Sequence, residues 1–484
     1  MPSNNMHIVN KKRFIACVIL IVLIFSLGGI ALFRIINRSQ PTKPVSNEIN
    51  HEQRTYTAQW NDASEPVEIR NNYIVSMTLD TEEKSYSADI TVDVYNDSED
   101  PWQSIYFRDY PSQFRDIENG RISEISAASN VLTGSTLELS READPTVFSF
   151  KLDEPLSPGD TASISFHYKA FVPVLNARFG YQSVGEGKND FYLGNCIPVL
   201  CPYDDGQFQY YPYFAVGECF YSRMANYNVN LNVPSSYSVI GTGDAIIADD
   251  TVMADYHFTA NAVRDVIFVI GNDYHIATDV VDGITVNSYY HSGREEKGQE
   301  ALNVAMDTLK DCNYRLGTYP YSKFNVVETQ MEMLGMEYPQ VVLITMADEG
   351  VPSSVHEIMH QWFYSLVGSN SYTSAWLDES LATYLANPGL VGYSGYITQP
   401  YSAFASDPDY TLAMYFCGAS MYNRLEEAYG KSTMTDFMRQ ILEQYAYKEI
   451  STQDLVNLLA DYFGADNEIL KEYIEPQYLE NIPA

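Results

Sequence analysis

The stretch "HEIMHQWFYSLVGSNSYTSAWLDES", residues 356–380, decides how this chain of 484 residues is read. On a helix, residues four apart lie one above the other on the same face, so His356 and His360 can turn ring nitrogens toward a single ion. Glu357 stands about 100° around the helix from His356, too displaced to share that role but well placed to take a proton from a nearby water. A hydrolytic zinc ion needs three protein ligands and one open position. Glu379, with eighteen residues between it and His360, is the candidate third ligand. That separation allows one helix, a turn and a second helix returning alongside. A surface helix with two incidental histidines would not require Glu379. A structural zinc site is closed by four ligands and favours cysteine, and no cysteine lies nearby in sequence.

Outward from this stretch the chain divides by pattern. Residues 14–33, "FIACVILIVLIFSLGGIALF", are twenty residues without a charge, enough to cross a bilayer as a helix. The following "ALFRIINRS" is a poor cleavage site, which predicts an uncleaved anchor rather than a signal peptide. The short tail 1–13 is expected in the cytoplasm and the remainder outside it. Residues 34–66 are polar and aperiodic and are expected to be a linker. From 67 to 275 strands dominate. In "SYSADITVDVY" (85–95), "TASISFHYK" (161–169) and "YNVNLNVP" (227–234) apolar and polar residues alternate, as in half-buried antiparallel strands. Near 293 the period changes. "GREEKGQEALNVAMDTLKDCNYRLG" (293–317) has helical spacing, "KFNVVETQ" and "QVVLIT" read as strands, and helices dominate from 353 onward. "STQDLVNLLADYFG" (451–464) opens with a capping-box signature and closes on glycine. The expected fold class is multidomain α+β: an N-terminal transmembrane helix, an antiparallel β domain at 67–275, and a mixed α/β domain at 276–484 ending in helices.

The chain carries 63 acidic against 29 basic side chains, a net charge of −34, and five of the basic ones fall in the first 40 residues. Such a field repels nucleic acid and anionic headgroups, so no nucleic-acid partner is expected. Of six cysteines, Cys17 lies in the apolar run. Cys196, Cys201, Cys219, Cys312 and Cys417 remain, an odd number, read as buried thiols or as one bridge among the first three. His167, His257, His275 and His291 read as strand or surface histidines rather than ligands, and Trp362 and Phe363 as core.

The arrangement "HEIMHQWF", eighteen residues, "WLDESLATY" resembles the zinc core of the gluzincin aminopeptidases, the family of aminopeptidase N and leukotriene hydrolase. Upstream, "LGMEYP" (334–339) resembles the family's Gly-x-Met-Glu-Asn motif. The resemblance implies that Glu337 holds the substrate's α-amine, with Gly335 and Met336 lining the substrate; Leu334 and Tyr338 stand where the family has glycine and asparagine. "YFCGASMYNRLEE" (415–427) resembles the family's Tyr-Glu-Lys-Gly-Ala segment, which implies that Tyr415 stabilises the oxyanion, with Tyr410 as the alternative and Cys417 in place of lysine. Segments 226–244, 264–275 and 315–328 resemble the end of the family's β-saddle, its junction, and the strand entering the active site.

The resemblance implies a β-saddle, a thermolysin-like catalytic domain, one zinc ion per chain and peptide substrates with a free N-terminus. It also implies that the large helical domain of long members is missing, and it leaves Glu218 as the candidate second group for the α-amine. The function expected is a membrane-anchored, extracytoplasmic zinc aminopeptidase. The alternatives are an endopeptidase or other hydrolase on the same zinc core, and a non-catalytic peptide-binding or sensor ectodomain.

Overall fold

The structure, a computed structural model, describes residues 55–482 apart from 63, 115–119, 176, 214–216, 218–219, 250–251 and 405. The expected tail, the expected anchor at 14–33, Glu218 and Cys219 all lie outside the described residues. Among the described residues no helix is long and apolar enough to cross a membrane.

The β domain is built on a seven-stranded sheet. Its spatial order is Asp244–Asp249, Met253–Val263, Ala225–Pro234, Asn72–Asp80, Ser85–Tyr95, Thr161–Phe171 and Glu124–Asn130. Alternation along each strand directs Tyr73, Val75, Ile90, Val92, Ile164 and Phe166 into one core. Two four-stranded sheets lie against it, and Phe107, Phe148 and Phe150 of one of them interlock with Phe166 of the seven-stranded sheet, with ring centroids 5.3–6.0 Å apart. The expected all-antiparallel pattern is corrected at one place: Asn72–Asp80 and Ala225–Pro234 run parallel. Alternation reports one wet face, not strand direction, so a parallel pair inside such a sheet leaves no trace in it.

The second domain is organised by a five-stranded mixed sheet, ordered Tyr274–Val281, Ile284–His291, Lys323–Thr329, Val341–Thr345 and Gly335–Tyr338. The helix Glu295–Arg315 is the crossover that the parallel pair Ile284–His291 and Lys323–Thr329 requires. The boundary expected at 275/276 falls inside the strand Tyr274–Val281 and is corrected accordingly. The short strand Gly335–Tyr338 is the edge of this sheet, paired antiparallel to Val341–Thr345. The helix Gly350–Met359 packs on that end of the sheet, and the helices Trp376–Ala386 and Gly418–Tyr429 follow behind it. The capping box of the helix Thr452–Phe463 is formed by Ser451 and Asp454.

The linker expected at 34–66 is corrected for its described part. Tyr56–Ala58 pairs with Val67–Ile69, and Trp60 is buried with its Nε1 donating to Thr318 O at 2.7 Å. A single anchoring tryptophan in a polar run has no period, so no pattern announces it. Cys196, Cys201, Cys312 and Cys417 are buried free thiols.

Two polar clusters clamp the domains together. Glu449 takes Arg264 and Arg223, each at 2.6 Å, while Arg264 Nε donates to Tyr364 O at 2.8 Å. His291 lies between Asp190, at 2.8 Å, and Glu328, at 3.4 Å, and Arg294 pairs with the other oxygen of Glu328. His291 is thus a strand histidine held by carboxylates.

Candidate metal and catalytic site

The helix Gly350–Met359 presents His356 one turn before its end, and His360 caps it with αR backbone angles, so the helical spacing of the two rings is kept. Trp362 and Phe363 turn into the core just beyond. His360 Nδ1 lies 3.0 Å from Phe363 O, and His356 Nδ1 lies 3.5 Å from Thr383 Oγ1. Both rings are therefore held from behind, and both Nε2 atoms face the same point. The helix Trp376–Ala386 brings Glu379 to that point from the other side. The three donor atoms form a triangle with sides of 3.0, 3.2 and 3.6 Å. Ligands about 2 Å from one ion span such a triangle, and the set of two imidazoles and one carboxylate fits zinc with a position left open. Among the described residues this is the one group of His, Cys, Asp or Glu side chains with metal-ligand spacing.

Electrostatics at the triangle follow from burial and mutual contact. Burial opposes charge on Glu379, yet the bonds and charges of His356 and His360 hold its carboxyl far below the usual range. Burial also opposes charge on His360, but Glu337, Glu379 and Asp378 outweigh it and raise its pKa well above the ordinary value. For His356 burial prevails and the pKa is lowered. Asp378, buried and next to Glu379, is pushed up to about 7, and its Oδ1 accepts from the Glu379 N–H at 2.8 Å.

Glu357 projects from the same helix and is buried against the edge strand, where its carboxylate lies on the backbone of Gly335. Gly335 and Glu337 share the face of that strand turned to the motif helix, and Glu337 is buried there, close enough to act on the charge of His360. Met336 and Tyr338 point the other way. Met336 is fully buried in the cluster shared with Ile267, Val269, Val327 and Leu343, so its side chain belongs to that core and only its backbone lies along the site face. Its period-two neighbours take the site face, which leaves Met336 as core. Leu334 stands half exposed, and its carbonyl accepts from Ser353 Oγ at 3.1 Å, so the strand enters without a glycine there.

Tyr415 sits on a π-helical turn, Leu412–Cys417. Its hydroxyl donates to Glu379 Oε1 at 2.7 Å, and its ring lies 5.7 Å from that of His356. Tyr410 stands behind it, stacked on Tyr401 at 4.8 Å and edge-on to Tyr415 at 6.1 Å. Of the two tyrosines, Tyr415 is the one that reaches the triangle. Sequence reasoning missed Thr383, Asp378 and Ser380. Asp378 and Ser380 flank Glu379 directly, and adjacency to a ligand was the only signal available for them.

No family model matches the chain. By sequence it is similar to Aminopeptidase 2 of Candida albicans, 24% identical over 282 residues, which cover 52% of this chain and 29% of that protein. It is also 26% identical over 245 residues to Aminopeptidase M1-B of Oryza sativa subsp. japonica, covering 41% of this chain and 28% of the relative. The matches thus span less than a third of the length of these curated relatives. By fold the chain is similar to an M1 zinc metallopeptidase from Deinococcus radiodurans, with a TM-score of 0.61, 19% identity, and coverage of 84% of this chain and 92% of that one. A variant of the Deinococcus enzyme has been solved with a Tyr-Ser-Ala substrate, and the likeness to it has a TM-score of 0.60 at 19% identity. The chain therefore has an M1 peptidase-like multidomain α+β fold, and about half of it is similar in sequence to part of these aminopeptidases.

Proposed function

We propose that this protein is a zinc aminopeptidase that removes N-terminal residues from peptides. The observation that carries the reading is the convergence of His356, His360 and Glu379 on one point, with Tyr415 bonded to Glu379 and Glu357 next to His356 on the same helix. Zinc held there would activate a water and polarise the scissile carbonyl. Glu357 takes the proton of the attacking water and returns it to the leaving amine. The Tyr415 hydroxyl, now donating to Glu379, is within reach of the developing oxyanion and donates to it. Glu337, buried at the sheet edge, pairs with the substrate ammonium and sets the cut one residue from the N-terminus. The homologous aminopeptidases support the exopeptidase reading.

The proposal extends to placement. The uncharged run 14–33 supports a single-pass anchor with the catalytic domain outside the cytoplasm. Protease added to intact cells should digest the tagged C-terminus; full protection would overturn the placement.

The test of function uses the full chain on paired peptides, one with a free and one with an acetylated N-terminus, with and without a chelator. Zinc-dependent release of the first residue from the free peptide alone is expected. Equal internal cleavage of both would replace the reading with an endopeptidase on the same core. No cleavage of either, together with a Glu357→Gln chain that keeps its biological effect, would leave a binding ectodomain.

A further inference from the structure

The helical run from Asp407 to Tyr429 is interrupted at Leu412–Cys417 by a π-helical turn, in which the Gly418 N–H reaches back five residues to Ala413 O. An extra residue in a helix rotates the residues before it by about 100° relative to those after it. It also loosens the local hydrogen bonding, and such turns persist where something holds them. Here Ser380 does so. Its side chain is fully buried, and its Oγ donates to Met414 O at 2.7 Å. Gly418 closes on it from the other end of the turn: a Cβ at 418 would fall on Ser380 Oγ and Cβ, and helical backbone leaves no room to retreat. The residue after the ligand Glu379 thus grips the carbonyl just before Tyr415, and Tyr415 in turn donates to Glu379.

We infer that Ser380 is a positioning residue that holds the π turn and so aims the Tyr415 hydroxyl at the reacting carbonyl. The inference rests on the proposed hydrolase reading of the same site. Without the Ser380 hydroxyl, Met414 O is free to rejoin an α-helical ladder. Tyr415 then turns off the triangle, while His356, His360 and Glu379 keep their places, because none of them depends on this bond.

The test combines kinetics with amide hydrogen exchange on the full chain. Ser380→Ala should lower kcat about 10- to 100-fold, the scale of a misplacement near 1 Å, with KM and bound zinc unchanged. The double variant Ser380→Ala/Tyr415→Phe should be no slower than Tyr415→Phe alone, because the serine acts through the tyrosine. Gly418→Ala, which pushes the same two helices apart, should repeat the kcat loss. Exchange over 412–417 should rise in Ser380→Ala but not over 452–463. An unchanged kcat, or losses that multiply in the double variant, overturns the inference. Should the wild-type chain release no N-terminal residue, the proposed function falls. The exchange measurement then decides on Ser380 by itself, and unchanged exchange over 412–417 rejects its hold on the turn.

Discussion

Gly335 lies against Glu357 so closely that a Cβ at 335 would occupy the space of the Glu357 Oε1, Cδ and Cγ atoms. The glycine sits on the edge strand of one sheet and the glutamate on the helix that carries both histidines. Their contact sets where the Glu357 carboxylate, the proposed base, stands relative to the triangle of His356, His360 and Glu379. Gly335→Ala should therefore displace Glu357 and lower kcat on the order of 100-fold, with zinc still bound. Glu357→Gln keeps the shape and removes the base, and should lose about 10²- to 10⁴-fold. Metal analysis of both variants beside steady-state rates checks this; loss of zinc from Gly335→Ala would place the glycine's role in the metal site instead.

The two tyrosines separate by a single substitution each. Tyr415 reaches Glu379, whereas Tyr410 is stacked on Tyr401 behind it. Tyr415→Phe should lower kcat about 100- to 1000-fold, the usual result of deleting one oxyanion donor. Tyr410→Phe should leave kcat within about tenfold. Rates measured at saturating peptide decide, and the reverse order of effects would transfer the role to Tyr410.

His291 links domain stability to pH. Burial opposes its charge, but Asp190 and Glu328 on its two sides outweigh burial and raise its pKa to about 9. Arg294, paired with Glu328, and the ring of Tyr274 at 4.5 Å complete its surroundings. A raised histidine contributes stability that is fully present below its unfolded pKa and is lost as pH rises through the folded one. The melting temperature should accordingly fall between about pH 6.5 and 9, by an amount equivalent to about 3 kcal/mol at most, and level off above that. In His291→Gln the fall over that window should disappear; a wild-type melting point flat across it would show that the imidazolium contributes no stability.

Trp60 ties the segment ahead of the β domain to the second domain. It is buried beside Gly317 and bonded to Thr318 O, far from the rest of its own segment in pattern. Trp60→Ala should destabilise by about 3–5 kcal/mol, as for other large aromatic truncations. The kcat of the folded fraction should be retained. Denaturant unfolding followed beside activity checks both; a change below about 1 kcal/mol would return Trp60 to a tether.

Much of the fold was legible because it is periodic. The strands at 85–95, 161–171 and 225–234 and the helices at 295–315 and 452–463 repeat apolar residues at intervals that only one secondary structure can bury. The features missed carry no period. These are the parallel register of Asn72–Asp80 with Ala225–Pro234 and the strap ending at Trp60.

The three side chains that converge, by contrast, were legible in the sequence alone. Spacing of four on a helix places His356 and His360 on one face whatever surrounds them, and zinc's demand for a third ligand pointed to Glu379. The tertiary structure decided which tyrosine reaches Glu379 and why a glycine stands at 335. It also decided what holds the turn that carries Tyr415. Each of these depends on how closely two elements distant in the chain approach, and that distance is set by packing between them, which no local pattern records.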